Sequence, residues 1–140
     1  MGIVRTTITL KNGYDMLKAK DGLIKEPEIR QTTVNAIVDT GAWTMVINEE
    51  IREKLGLSIL RTDSGTLADG QRSTYNIAGP LEVTWEDRGL MCDALVLPDA
   101  QDILLGAIQL EAMDLIINPR EEKVVGAHGD QVMHLILSCR

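Results

Sequence analysis

Apolar and polar positions alternate along much of this chain, in short runs broken by turn residues. Ile3 to Leu10 is rich in β-branched residues and reads as a strand ending at the turn pair Asn12-Gly13. Residues 14–27 are more polar, carry Asp21-Gly22 and Pro27, and read as a loop or a long hairpin extension. From Ile29 to Val38 the alternation returns, with Thr32, Val34 and Ala36 set against Thr33 and Asn35. That strand leads through Ala36-Ile37-Val38 to Asp39.

Asn48 to Gly56 breaks the period-two pattern. Ile51 and Leu55, four apart, form one apolar stripe of a short helix. Asn48 can cap it, Glu49 and Glu50 suit the positive end of its dipole, and Gly56 fits a left-handed stop. Asp69-Gly70, inside residues 65–75, is a strong hairpin-turn signal. Ile77 to Trp85 and Leu90 to Leu97 predict a second hairpin, turning at residues 86–89. Asp102 to Gly106 reads as an apolar strand ending at glycine, and Ala107 to Met113 as a short helix. Leu115 to Asn118 and Lys123 to Val125 predict a hairpin around Pro119 to Glu122, and Val132 to Leu137 a final apolar strand. Many short strands with one or two short helices predict a mostly β, closed sheet or barrel.

Length and composition narrow this further. No repeat, linker or low-complexity tract divides the 140 residues, so one domain over 1–140 is expected. A chain of this size buries roughly 68% of its unfolded surface. Aromatic residues are scarce (two Trp, two Tyr, no Phe), so the core is aliphatic. The net charge of −7, with no Lys/Arg cluster, argues against a nucleic-acid or anionic-membrane partner. Cys92 and Cys139 form no disulfide framework, and no leader or membrane-length apolar run is visible. A cytoplasmic, reduced setting is the expectation. His128 and His134 lack the clustered spacing of a zinc site, so no metal is expected. Cys92, in an apolar strand, reads as a buried small residue, and Met91, Met113 and Met133 as core fillers.

The candidate chemistry lies in Asp39-Thr40-Gly41-Ala42, which occurs once. An aspartate at a tight turn leaving a buried strand is a costly place for a charge, and chains keep such groups mostly where chemistry uses them. Two carboxyl groups about 3 Å apart sharing one proton can hydrolyse a peptide bond with no organic cofactor, only water. With one copy per chain, the second carboxyl must come from a second subunit. A two-fold axis sets Asp39 against Asp39. Gly41 lets the backbone turn its amides towards the carboxylate, the Thr40 hydroxyl can bind backbone across the axis, and Ala42 is small enough to leave the cleft open.

The triplet resembles the active-site motif of aspartic proteases, and its single occurrence in a short chain resembles the retropepsins. The resemblance spans roughly residues 30–125. Leu67, Ala68, Asp69 and Gly70, within residues 66–73, stand where that family has its flap, the hairpin that closes over substrate. Ile103-Leu104-Leu105-Gly106 is similar to the segment that passes beside the catalytic loop there, and Leu115 to Asn118 with Lys123 to Val125 is similar to its closing hairpin. The resemblance implies a closed retropepsin-like barrel working as a symmetric homodimer, with Asp39 catalytic and Thr40, Gly41 and Ala42 in support. It implies a peptide or protein substrate and, through pairing of terminal strands, a dimer contact at Val132 to Leu137. Trp43 departs from the small or acidic residue common at that place, and is expected either in the core or as a subsite wall. The segment 14–27 and the tail after Val125 are longer than a minimal retropepsin needs.

Competing readings are weaker. Asp69 reads as a turn residue and Asp102 as a strand-edge carboxylate, while Asp63, Asp99 and Asp114 carry no pairing signal. An aspartyl-phosphate enzyme of the haloacid-dehalogenase kind would want a second Asp at position 41, where Gly stands. The remaining alternative is a catalytically silent dimeric module that binds peptides with the same fold.

Overall fold

The computed structural model describes residues 2–66 and 69–132. Leu67 and Ala68 of the expected flap lie outside the described residues, as do His134, Cys139 and all of the expected tail strand except Val132. Seven strands form one sheet: β1 (Val4–Asn12), β2 (Gln31–Val38), β3 (Val46–Ile47), β4 (Ser58–Thr66), β5 (Arg72–Trp85), β6 (Arg88–Val96) and β7 (Leu104–Leu105). Their order is β1-β2-β7-β3-β6-β5-β4, and β1 pairs with β5 as well as with β2. A separate hairpin joins β8 (Leu115–Asn118) to β9 (Lys123–Gly126). The helices are α1 (Gly13–Lys20), α2 (Glu49–Leu55) and α3 (Ala107–Ala112).

Alternation sets the core. Val4, Ile8 and Leu10 of β1 point inward, as do Ala36 and Val38 of β2, against Leu81 and Val83 of β5 and Ala94 and Val96 of β6. The core is aliphatic, as composition requires, and Met113 is fully packed in it. Met91 is not a core filler: it is exposed, lying over Gly13, where a Cβ would collide with it.

Two expectations fail at one place. Asn12-Gly13 does not turn the chain into a hairpin, and residues 14–27 are not all loop. Asn12 ends β1 and caps α1, accepting from the Asp15 N–H at 2.9 Å. Asp15 lies at the positive end of the helix and Lys18 and Lys20 at the negative end, which favours helix locally. A short 3₁₀ turn over Glu26–Glu28 then leads into β2, which starts later than the pattern suggested. The described residues therefore form three α-helices where one or two were expected. In β5, Arg72–Trp85 runs as one 14-residue strand serving two hairpins. Its register shifts between Ala78 and Leu81, where Pro80 has no N–H to give to the ladder.

Buried polar groups tie these elements together. Asn12 Nδ2 donates to the Leu55 carbonyl at 2.7 Å, joining α1 to the end of α2. Asp15, almost wholly buried, accepts from Arg30 N (3.0 Å), Arg30 Nε (2.8 Å) and Arg30 Nη2 (3.0 Å). The Arg30 guanidinium occupies the space that a Cβ on Gly56 would need, and Gly56 is left-handed (φ 62°) at the C-terminal end of α2. Arg88, placed by sequence in a turn, is 5% exposed and donates to the carbonyls of Met113 (3.1 Å), Asp114 (2.8 Å) and Gly129. It pins the segment after α3 to the β5–β6 hairpin.

The hydrogen-bonded Arg30 side chain, aided by its backbone N–H and opposed by burial, lowers the Asp15 carboxyl from 3.8 to about 2. A folded-state value below the unfolded one adds stability that is present above the unfolded value and is lost as pH falls through the folded one. The full shift corresponds to about 2 kcal/mol. Because Arg30 is half-exposed and screened, we expect Asp15→Asn to cost about 1–2 kcal/mol at pH 7. Urea unfolding at several pH values checks this: the gap between wild type and variant should narrow between about pH 5 and pH 2.

Candidate active site

The loop after β2 is held by backbone bonds on every side. Ile37 and Val38 pair in parallel with Leu104 and Leu105, and Asp39 N donates to the Leu105 carbonyl at 3.0 Å. The turn then tightens: Ala42 N donates to the Asp39 carbonyl (3.1 Å) and Gly41 N donates to Asp39 Oδ1 (2.9 Å). That second bond holds one carboxylate oxygen of Asp39 against the Gly41 amide.

Helix α3 completes the brace. Its N-cap is Gly106, which has no side chain to satisfy the first N–H groups. The loop does so instead: Ala107 N donates to the Ala42 carbonyl (2.8 Å) and Ile108 N to the Trp43 carbonyl (3.2 Å). So close an approach needs glycine, because a Cβ on Gly106 would lie 2.5 Å from the Thr44 carbonyl oxygen. Leu104-Leu105-Gly106 thus has a physical role: two residues pair with the strand that carries Asp39, and a third lets the loop lie against the helix.

Asp39 is half-buried and opens onto a cleft of about 430 Å³ whose walls include Ala42, Trp43, Tyr75, Leu95 and Leu97. It is the sole carboxylate among the described residues lining that cleft. Thr40 and Gly41 are exposed beside it, and Ala42 is half-buried. The β4–β5 hairpin stands over the same space, since Thr66 and Tyr75 also line it. Its strands pair out to Thr66 and Arg72, and at its end Asp69 Oδ1 accepts from Gln71 N (2.9 Å) beside left-handed Gly70 (φ 84°). Asp69 is a turn residue there.

Trp43 is 77% exposed, which excludes the core and leaves the cleft wall. It also borders a side pocket of about 330 Å³, which shares Trp43, Thr44, Tyr75 and Leu95 with the cleft. Size does not select the site: grooves of about 430 and 480 Å³ lie beside Arg88 and beside Thr62 and Pro98, and neither is lined by Asp39. Burial pushes the Cys92 thiol up to about 11, with a hydrogen bond from Gln109 acting the other way, so it is no nucleophile near neutrality. Asp102 is not on a strand; it pairs with Arg5 at 3.2 Å. Asp63 pairs with Arg61 and Asp114 with His128, contacts that spacing did not signal. Among the described residues no cluster of His, Cys, Asp and Glu could hold a metal, and no helix is long and apolar enough to cross a membrane. Sequence reasoning passed over Thr44, Tyr75 and Gln109; a lone glutamine two residues inside an otherwise apolar helix start was the available signal.

The aspartyl protease family profile matches residues 26–108, which include the Asp39 loop, the hairpin and the first residues of α3. In three dimensions the chain is similar to the retroviral protease-like domain of Ddi1 from Leishmania major. The TM-score is 0.56 at 17% identity, covering 89% of this chain and 88% of that one. At that identity the likeness speaks for the fold. No curated protein matches.

The brace gives a direct expectation. Gly106→Ala should lower stability by about 2–3 kcal/mol, because backbone rather than a movable side chain occupies the space. Gly70→Ala, with nothing within 4 Å of its Cβ, should cost only its backbone strain, about 1 kcal/mol. Thermal unfolding of the two variants side by side measures the contrast.

Proposed function

The chain belongs to the aspartyl protease family in its retropepsin-like form, and from that premise we propose that it is an endopeptidase working as a symmetric homodimer. What carries this reading is Asp39: a lone carboxylate, on a backbone-locked loop, facing an open peptide-sized cleft under a hairpin. One carboxylate cannot serve as both acid and base at the same moment. A second copy related by a two-fold axis supplies the other at the same height. Pairing of β1 with β5 as well as with β2 supports a closed barrel, which would keep each loop rigid in such a dimer.

In the proposed dimer the two Asp39 carboxyls share one proton. The ionised one takes a proton from water, and the water oxygen attacks the scissile carbonyl carbon. The protonated one gives its proton to the carbonyl oxygen, leaving a gem-diol. Collapse re-forms the carbonyl and breaks the C–N bond, and a proton passes to the departing amine. Water is the sole co-reactant, so neither metal nor organic cofactor enters the scheme. Gly41 N–H holds Asp39 Oδ1, exposed Thr40 can brace the partner's loop, and Ala42 keeps the cleft open. Residues 66–73, with Asp69 and Gly70 at their turn, act as a flap that excludes water and commits the peptide.

The test is cleavage of a diverse peptide library by wild type and Asp39→Asn from about pH 4 to 7. We expect cleavage by wild type, a loss of about a thousandfold or more in the variant, and unfolding free energies within about 1 kcal/mol of each other. Specific activity should also fall on dilution, as the dimer dissociates. Peptide binding without cleavage by wild type would replace this reading with the dimeric peptide-binding module. A monomer at all concentrations would remove both.

A further inference from the structure

The side pocket next to the cleft contains a polar group that the fold leaves unanswered. Gln109 of α3 is 1% exposed, and its Oε1 has no hydrogen-bond partner among the described residues. Its Nε2 donates to Thr44 Oγ1 at 3.3 Å, and the same side chain hydrogen-bonds the Cys92 thiol. Thr44 therefore accepts from Gln109 and keeps its own O–H to give. Thr44 is only half-buried and lines both the side pocket and the Asp39 cleft, so that hydroxyl is within reach of a bound peptide. Above this polar floor the walls are mostly apolar, formed by Trp43, Ile77, Leu95 and Ile108 with the Tyr75 side chain and the Cys92 thiol. At the exposed mouth, Arg61 bridges Asp63 (3.1 Å) and Asp93 (3.5 Å), which engages its charge and leaves one negative charge in surplus.

We propose that this pocket is a specificity subsite for a carboxamide side chain, Asn or Gln, recognised by the Thr44 hydroxyl with Gln109 positioning it. The inference rests on the peptide-binding reading of the cleft. Three physical points select the carboxamide. A hydrocarbon would cover Thr44 and leave its hydroxyl unmet, which costs binding. A charged head would lose its hydration over a floor of neutral groups. A carboxylate would also meet the surplus negative charge of Asp63 and Asp93, and an ammonium would meet that charge only at the exposed mouth, where water screens it. A carboxamide is neutral and offers both an acceptor and two donors. Turning the Gln109 amide over makes Oε1 accept from Thr44 and leaves the Thr44 lone pairs facing the pocket. The carboxamide then donates where before it accepted, so it matches the site in either state.

The test uses the full chain and peptides that differ at one position near the cut: Gln, Asn, Met, Leu, Glu or Lys. Wild type should prefer Gln or Asn over Met by about tenfold in kcat/KM, the worth of one hydrogen bond, and mainly through KM. Thr44→Val should bring the Gln-to-Met ratio to within about twofold, and Thr44→Ser should restore it. No position with a carboxamide preference, or a Thr44→Val variant that keeps the ratio, overturns the inference while the protease reading stands. If wild type cuts nothing, the affinity of Asp39→Asn for the same peptides decides. The carboxamide ranking there upholds the subsite although proteolysis is absent, and equal or undetectable binding of all six overturns it.

Discussion

Everything at the site depends on one backbone contact, that between residues 39–44 and residues 105–108. Peptide groups are rigid and always present, so a loop held by N–H and C=O groups of a neighbouring strand and helix keeps its shape whatever side chains it carries. The loop satisfies the open N–H groups of α3, and the helix end in turn fixes the loop. Neither segment would be well placed without the other. Gly106 is the condition for both, since any side chain there would separate the two backbones by the width of a methyl group.

The opposite end of the molecule solves a different problem with charge. Asn12, Asp15 and Arg30 gather the start of α1, the entry to β2 and the end of α2 around a single buried carboxylate. A buried Asp is tolerable because three N–H groups converge on it from one residue. Arg88 does similar work without an acid, handing its N–H groups to three backbone carbonyls. These two arginines anchor the parts of the chain whose hydrophobic pattern is weakest, and among the described residues the buried side-chain polar atom left without a partner, Gln109 Oε1, belongs to the side pocket.

What the sequence made legible follows from how local each signal is. The strand into Asp39, the capped helix from Asn48 to Gly56 and the Asp69-Gly70 turn depend on residues close in the chain, and each was readable. The dominance of β structure and the match to aspartic proteases were readable from motif order. Asn12-Gly13 misled because asparagine serves turns and helix caps equally well, and the choice was made by Leu55, 43 residues away, which takes up the other half of the Asn12 side chain. Trp43 could not be placed because its neighbours come from β5 and α3. The pairing of Gln109 with Thr44 spans 65 positions and has no periodic trace at all.

The long strand β5 has one more consequence. Asn76, Ile77 and Ala78 are gripped on both sides, by β4 and by β6, whereas Arg72 to Tyr75 are paired with β4 alone. The hairpin is thus a cantilever whose free span is about four residues, roughly 13 Å. Its fulcrum lies immediately behind Tyr75. A beam deflects most at its tip and least at its root, so in a hairpin that serves as the proposed flap the Tyr75 ring, which lines both the cleft and the side pocket, would move least. In the proposed function, selection of the side chain and closure over the peptide would thereby be mechanically separate, each open to change without the other.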